Sequence, residues 1–213
     1  LLRGVNPKWI IEAVSKEKCS IVWLLVPWAH DILIAIENKE IDLSSYDLSQ
    51  WRLMHAGAQP VPPSLIESWH KYFPGQAYDT NYGLTESTGP GCVHLGVENP
   101  DRIGPIGLPG HGWEAKIVDK MGNHLFGNET GELIVKGPGV MKEYYKNPEE
   151  TAKTLKDGWL HTGDIARYDR DGFIWLVDRK KDMIIYGGEN IFPVEIENFF
   201  QSHPKIKDIA VIG

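Results

Sequence analysis

Apolar residues recur at helical spacing through residues 7–18, where Trp9, Ile10, Ala13 and Val14 share one face and Pro7 sits at a helix start. The short apolar run at 21–25 reads as a buried strand. Pro27 opens a second helix to about residue 37, and residues 52–55 form another strand. Pro62-Pro63 leads an amphipathic helix through residue 73. Helix and strand alternating in this way predict an α/β sheet. After Tyr78 the period changes. WEAKIV (113–118) and ELIVK (132–136) alternate apolar and polar positions between Gly-rich turns such as Gly127-Asn128, the pattern of antiparallel strands in a β-rich subdomain. Residues 173–177 and 183–185 add short strands around the turns DRDG (169–172) and RKKD (179–182). Residues 193–201 read as a helix with Pro193 in its first turn, and 206–212 as the start of a further strand.

Composition narrows the function classes. Among 213 residues, 22 basic against 29 acidic side chains give a net charge of −7 and a pI near 5.6. That balance lacks the basic face of a general nucleic-acid binder. No apolar run reaches the roughly 18 residues of a spanning helix, and no basic, apolar and small-residue succession marks a signal peptide. Two cysteines, Cys19 and Cys92, make neither a disulfide framework nor a CxxC pair, so a reducing, cytoplasmic setting is expected. The chain opens on LLRG and closes on VIG, and both ends are expected to be cuts through a larger protein.

Four clusters carry candidate chemistry. In DTNYGLTESTGPG (79–91), Tyr82 could stack on a base, Gly83 admits close backbone approach, Thr85 could donate to a phosphate oxygen and Glu86 could hold Mg²⁺. A Gly-Thr-Ser surface turn with a solvated Glu86 explains the same residues. In WLHTGD (159–164), Asp164 after Thr-Gly in a loop could accept both hydroxyls of a ribose, or bond local backbone amides; His161 reads as structural. In DRKKDMIIYGGENIFPVEIE (178–197), Arg179 could pair with phosphate or ribose, and Gly187-Gly188 could line a ligand; a charged hairpin and a capped helix serve equally. In HAGAQPVPP (55–63), Gly57 and Ala58 leave bare backbone that could face a flat ring, and a plain strand-to-helix turn explains them equally well. No GxSxG elbow, GxxxxGK[ST] loop, GxGxxG fingerprint or zinc spacing occurs.

Together and in this order, AGAQPVP, YGLTES, GELIVKGPGVMKEYYKNPEET, WLHTGD and DRKKDMI…GGENI…PVEIE resemble the adenylate-forming superfamily: acyl-CoA synthetases, luciferases and the adenylation domains of peptide synthetases. The last element looks most like acyl-CoA ligases. The resemblance implies an α/β fold: the C-terminal part of the large domain over 1–178, an α/β portion to about 110 and a β-rich subdomain after it. A hinge at 179–182 and the start of a small α+β domain at 183–213 would follow.

The resemblance also implies roles. Gly57, Ala58 and Gln59 would form the backbone wall on one adenine face, with Tyr82 on the other and Gly83 beside it. Thr85 would touch the α-phosphate, Glu86 would hold Mg²⁺, Asp164 would bind the ribose and Arg179 would reach the nucleotide. Lys181 would be the hinge between two half-reactions, and Gly187 and Gly188 would line the path to coenzyme A. The implied substrates are ATP, a carboxylic acid and CoA. Alternatives are an adenylation domain that loads a carrier protein, an oxidising luciferase, or a non-catalytic nucleotide-binding module. The family's early phosphate loop would precede Leu1 and its catalytic lysine would follow Gly213, so the isolated chain is expected to turn over little. Glu143 stands where the family has glycine, and Lys181 where many relatives have Asp.

Overall fold

The computed structural model describes residues 5–57, 61–186, 189–201, 203, 205–206 and 209–213. The chain forms two compact units, Leu1–Asn81 with His94–Gly104, and Tyr82–Val93 with Pro105–Gly213.

The first unit is built from helix and strand in alternation. Helix α1 (Pro7–Glu17) starts where the Asn6 side chain accepts the Lys8 N–H, with Pro7 in the first turn, and ends at Lys18 in a left-handed conformation. Strand β1 (Ile21–Leu25) is followed by α2 (Val26–Glu37), β2 (Leu53–Gly57), α3 (Pro63–Tyr72) and β3 (Ala77–Leu84), which passes into the second unit after Asn81. β1 pairs with β2 and β2 with β3, both in parallel, so each crossover carries a helix. The helices bury Ile11, Ile32, Leu33, Ile66 and Trp69 against Leu24, Met54 and Ala56 of the strands. Trp69 stacks on Phe73 at 4.4 Å between centroids, and its indole N–H donates to Gln76 Oε1 at 2.9 Å. That bond lets a polar ring edge be fully buried.

The second unit is antiparallel. Strand β4 (Gly89–Leu95) pairs with the short β5 (Leu108–Pro109) through Cys92 and Val93. A four-stranded path then runs β10-β9-β7-β6, with β6 at Glu114–Val118, β7 at Gly131–Lys136, β9 at Trp159–Tyr168 and β10 at Ile174–Arg179. Helix α4 (Pro148–Thr154) and the two-residue β8 (Leu155–Lys156) lead into β9. Strand β11 (Ile184–Tyr186) pairs with β12 (Glu189–Ile191), and α5 (Pro193–Gln201) follows. Ile117, Leu133, Val135, Leu160, Ala166 and Ile174 form the core.

Three expectations are corrected. Strand β1 is not buried along its length: Ile21 and Trp23 are about half exposed, and only Leu24 is fully buried. Residues 206–212 form no strand where they are described; the Val211 N–H, which would join a ladder, donates to Glu197 Oε1 at 2.8 Å instead. WLHTGD is not a loop: it opens the ten-residue strand β9, and a bulge rather than a turn accommodates Thr162-Gly163-Asp164.

Candidate functional site

The bulge builds the site. Opposite β7, Glu132 pairs with Ile165 and Ile134 with His161, so two steps on β7 span four on β9. Gly163 takes φ +73°, a conformation glycine adopts without a Cβ clash. The Thr162 hydroxyl accepts the Asp164 N–H at 3.1 Å and donates to Leu133 O at 2.6 Å, closing the distortion with side-chain bonds.

Asp164, 7% exposed, points into the unit. The Tyr82 hydroxyl donates to its Oδ2 at 2.5 Å, and Arg179 Nε lies 3.7 Å from Oδ1. Burial raises the Asp164 carboxyl above its ordinary range, while Tyr82 and Arg179 pull it down and Glu132 adds to the rise. Burial, then the charge of Asp164, raises the Tyr82 phenol far above its ordinary value, so Tyr82 stays a donor. Tyr82 is itself buried, its ring packed in the second unit's core with Cys92 and Leu133. The side chain expected to stack on a base therefore meets the expected ribose carboxylate through its hydroxyl. Arg179 is more than half exposed, a cation beside a sheltered anion.

A second anchor lies at the YGLTES turn. Thr85, Glu86 and Ser87 form a 3-10 turn in which Thr85 is exposed and Glu86 half-buried. The Ser87 hydroxyl accepts the Leu84 N–H at 2.9 Å and fixes the turn. The Tyr144 hydroxyl donates to Glu86 Oε1 at 2.8 Å, and the Met141 N–H donates to Glu86 O at 2.7 Å. Gly139 makes this docking possible, because a Cβ there would meet Ser87 O at 2.4 Å. Glu143 departs from the family pattern without dislodging Tyr144. Among the described residues no three His, Cys, Asp or Glu side chains gather to hold a metal. A cation at Glu86 would take one protein carboxylate and draw its other ligands from phosphate oxygens and water. That donor set fits Mg²⁺.

The remaining candidates separate. Gly57 and Tyr82 belong to different units. In the first, a Cβ on Gly57 would meet Asn81 Oδ1 at 2.8 Å, a contact that a turn of the Asn81 side chain would relieve. Ala58, Gln59, Gly187 and Gly188 lie outside the described residues. Gly83 is exposed on β3. Lys181 is exposed in a turn in which the Asp182 and Met183 N–H groups both donate to Arg179 O.

Sequence reasoning passed over Glu132, Tyr144 and Asp178, and set His161 aside as structural. Glu132 accepts from Gly163 N–H at 3.3 Å, and its Oε2 lies 3.2 Å from both His161 Nδ1 and Lys180 Nζ. Asp178 Oδ2 accepts the Val194 N–H in the first turn of α5 at 3.1 Å. Their signals are present: a Glu opening ELIVK, and the Asp of DRKK fifteen residues before the helix start at Pro193.

Residues 2–145 match the family model described as AMP-binding enzyme. A long-chain-fatty-acid–CoA ligase of Salmonella typhimurium is 44% identical over 182 residues, 84% of this chain and 31% of the relative. The amide bond synthetase McbA from Marinactinospora thermotolerans superposes with a TM-score of 0.88 at 29% identity, over 100% of this chain and 42% of that one. The O-succinylbenzoate CoA synthetase MenE from Bacillus subtilis, solved with ATP and magnesium ion, gives a TM-score of 0.85 at 28% identity over 98% of this chain and 42% of that one. The chain thus spans 31–42% of the length of these proteins.

Proposed function

The chain belongs to the AMP-binding enzyme family, an adenylate-forming family with an α/β fold, and from that premise we propose that it is part of an ATP-dependent acid–thiol ligase. The whole enzyme would join a carboxylic acid to AMP and then hand the acyl group to CoA. In the first step a carboxylate oxygen attacks the α-phosphorus and pyrophosphate leaves. In the second the thiolate of CoA attacks the acyl carbon and AMP leaves. Both steps bring anions together, so the protein must supply fixed donors and cations at the reacting phosphate.

The observation that carries this reading is Asp164, a buried carboxylate held on a bulge between the Tyr82 hydroxyl and the Arg179 guanidinium. Its pre-formed geometry suits a pair of ribose hydroxyls, which would donate to Oδ1 and Oδ2 as charge-assisted bonds. Tyr82 would orient that carboxylate and present its ring edge to the base, with Gly83 beside it. Gly57, Ala58 and Gln59 would supply the backbone wall for adenine that the family resemblance implies. Arg179 would face the nucleotide, and Thr85 would donate to the α-phosphate. Mg²⁺ at Glu86 would neutralise phosphate charge. Glu86 would hold that ion with one oxygen while Tyr144 holds the other. Lys181 would be the pivot of a small domain beginning at 183, the short turn at 179–182 absorbing the rotation, with Gly187 and Gly188 on the CoA path.

The test is acid-dependent exchange of radiolabelled pyrophosphate into ATP by the full-length protein, screened over acids of different chain length, followed by CoA addition. Exchange with a subset of acids and thioester formation on adding CoA supports the reading. Exchange with no acid at any Mg²⁺ concentration contradicts it. Adenylate release to an amine or a carrier thiol in place of CoA would reassign the second step alone.

A further inference from the structure

Glu132 is a half-buried carboxylate with more partners than a strand position requires. It lies on β7 directly across from the β9 bulge, where the ladder has no strand partner for Gly163. Its Oε1 supplies one, accepting the Gly163 N–H at 3.3 Å. Its Oε2 lies 3.2 Å from His161 Nδ1, two residues before Gly163, and 3.2 Å from Lys180 Nζ, next to the expected pivot. The Lys180 N–H in turn donates to Gly163 O at 2.8 Å, so the bulge is held at both main-chain atoms of one glycine. Burial pushes the Glu132 carboxyl up, but His161 and Lys180 outweigh it and hold it below its ordinary range. Glu132 therefore stays ionised, and its charge pins the bulged stretch of β9 that carries Asp164.

We propose that Glu132, with Lys180 and His161, is the positioning residue of the Asp164 carboxylate, and that it sets how strongly ribose hydroxyls are recognised. The inference rests on the reading of Asp164 as the ribose acceptor. Glu132 touches no substrate itself. It acts by fixing the φ of Gly163 and hence the direction of the next side chain.

The experiment compares ATP with 2′,3′-dideoxy-ATP in full-length wild type, Glu132→Gln and Lys180→Ala, by KM in pyrophosphate exchange and by calorimetric Kd. Glu132→Gln keeps an oxygen for Gly163 and loses the charge that holds Lys180 and His161. It should raise KM for ATP about tenfold, the size of one charge-assisted bond, leaving KM for dideoxy-ATP and for the acid within about twofold. Lys180→Ala removes a half-exposed side chain that the core does not need, and should give a smaller shift of the same pattern. It keeps the test open if Glu132→Gln lowers Tm. A general loss of structure would weaken both nucleotides and the acid together, and that result overturns the proposal. So does an unchanged preference for ATP over its dideoxy analogue in both variants. A wild type with no such preference would sink the ribose reading of Asp164 and this proposal with it. A wild type that discriminates while both variants do so equally well would sink the proposal alone.

Discussion

The two compact units bury polar groups to different ends. In the first, Gln76 accepts from the Trp69 indole and Asp79 accepts the Gly96 N–H at 2.8 Å. Both bonds satisfy buried polar groups beside an apolar, aromatic core. In the second, Asp178 likewise accepts backbone N–H groups, but Asp164 meets a side-chain hydroxyl and an exposed guanidinium, and Glu132 meets an ammonium and an imidazole. Partners of that kind can rearrange or make room for a ligand more readily than a backbone amide, such as that of Gly96 in the turn after β4. A buried carboxylate is therefore a better pointer to function when side chains satisfy it than when backbone does.

That contrast can be broken in several ways. The largest effect is expected at Lys181. Proline fixes φ near −65° and restricts Lys180, so Lys181→Pro should slow one half-reaction of the full-length enzyme by orders of magnitude and leave the other largely intact. Single-turnover kinetics of each step checks this, and Lys181→Ala should do far less. In the first unit, Trp69→Ala should lower stability by about 3–5 kcal/mol, read by denaturant unfolding, because the ring is fully buried against Phe73 and Trp51. Its folded fraction should keep the wild-type KM for ATP. Glu86→Gln should slow adenylation by about two orders of magnitude at limiting Mg²⁺, with acid binding little changed. Matching pyrophosphate exchange in variant and wild type would remove the metal from Glu86.

The smallest effect is a pH dependence. Asp164 must be ionised to accept two hydroxyls, and burial has raised its carboxyl in the folded protein. The folded state thus keeps that proton to higher pH than the unfolded chain, and stability falls as pH rises through the interval between the two values. Nucleotide affinity runs the other way. KM for ATP should climb as pH falls, beginning above the ordinary carboxylate range of about 4, and the limb should vanish in Asp164→Asn.

Most elements were legible because their signals are local. Pro7, Pro63 and Pro193 sit in helix first turns, and the alternation in 132–136 is β7. What failed depends on distant partners. Residues 206–212 have strand-like composition, but Glu197 takes the Val211 N–H. Thr-Gly-Asp reads as a turn because those residues favour turns, and only the opposing strand makes it a bulge. Glu132 occupies an ordinary polar position in the alternation of β7, so its role becomes visible only when Gly163 and Lys180 are brought to it. Tyr82 followed the same rule: the motif marks an aromatic, and the packing of the second unit decides that its hydroxyl, not an open face, meets Asp164.

The central claim is that Asp164 is a ribose acceptor aimed by a bulged strand, and nucleotide binding to full-length Asp164→Ala tests it most directly. The account predicts that ATP loses roughly 1.5–3 kcal/mol per hydrogen bond removed, while 2′,3′-dideoxy-ATP, already without those donors, loses little further affinity. Equal ATP affinity in variant and wild type, or equal losses for both nucleotides, would contradict it.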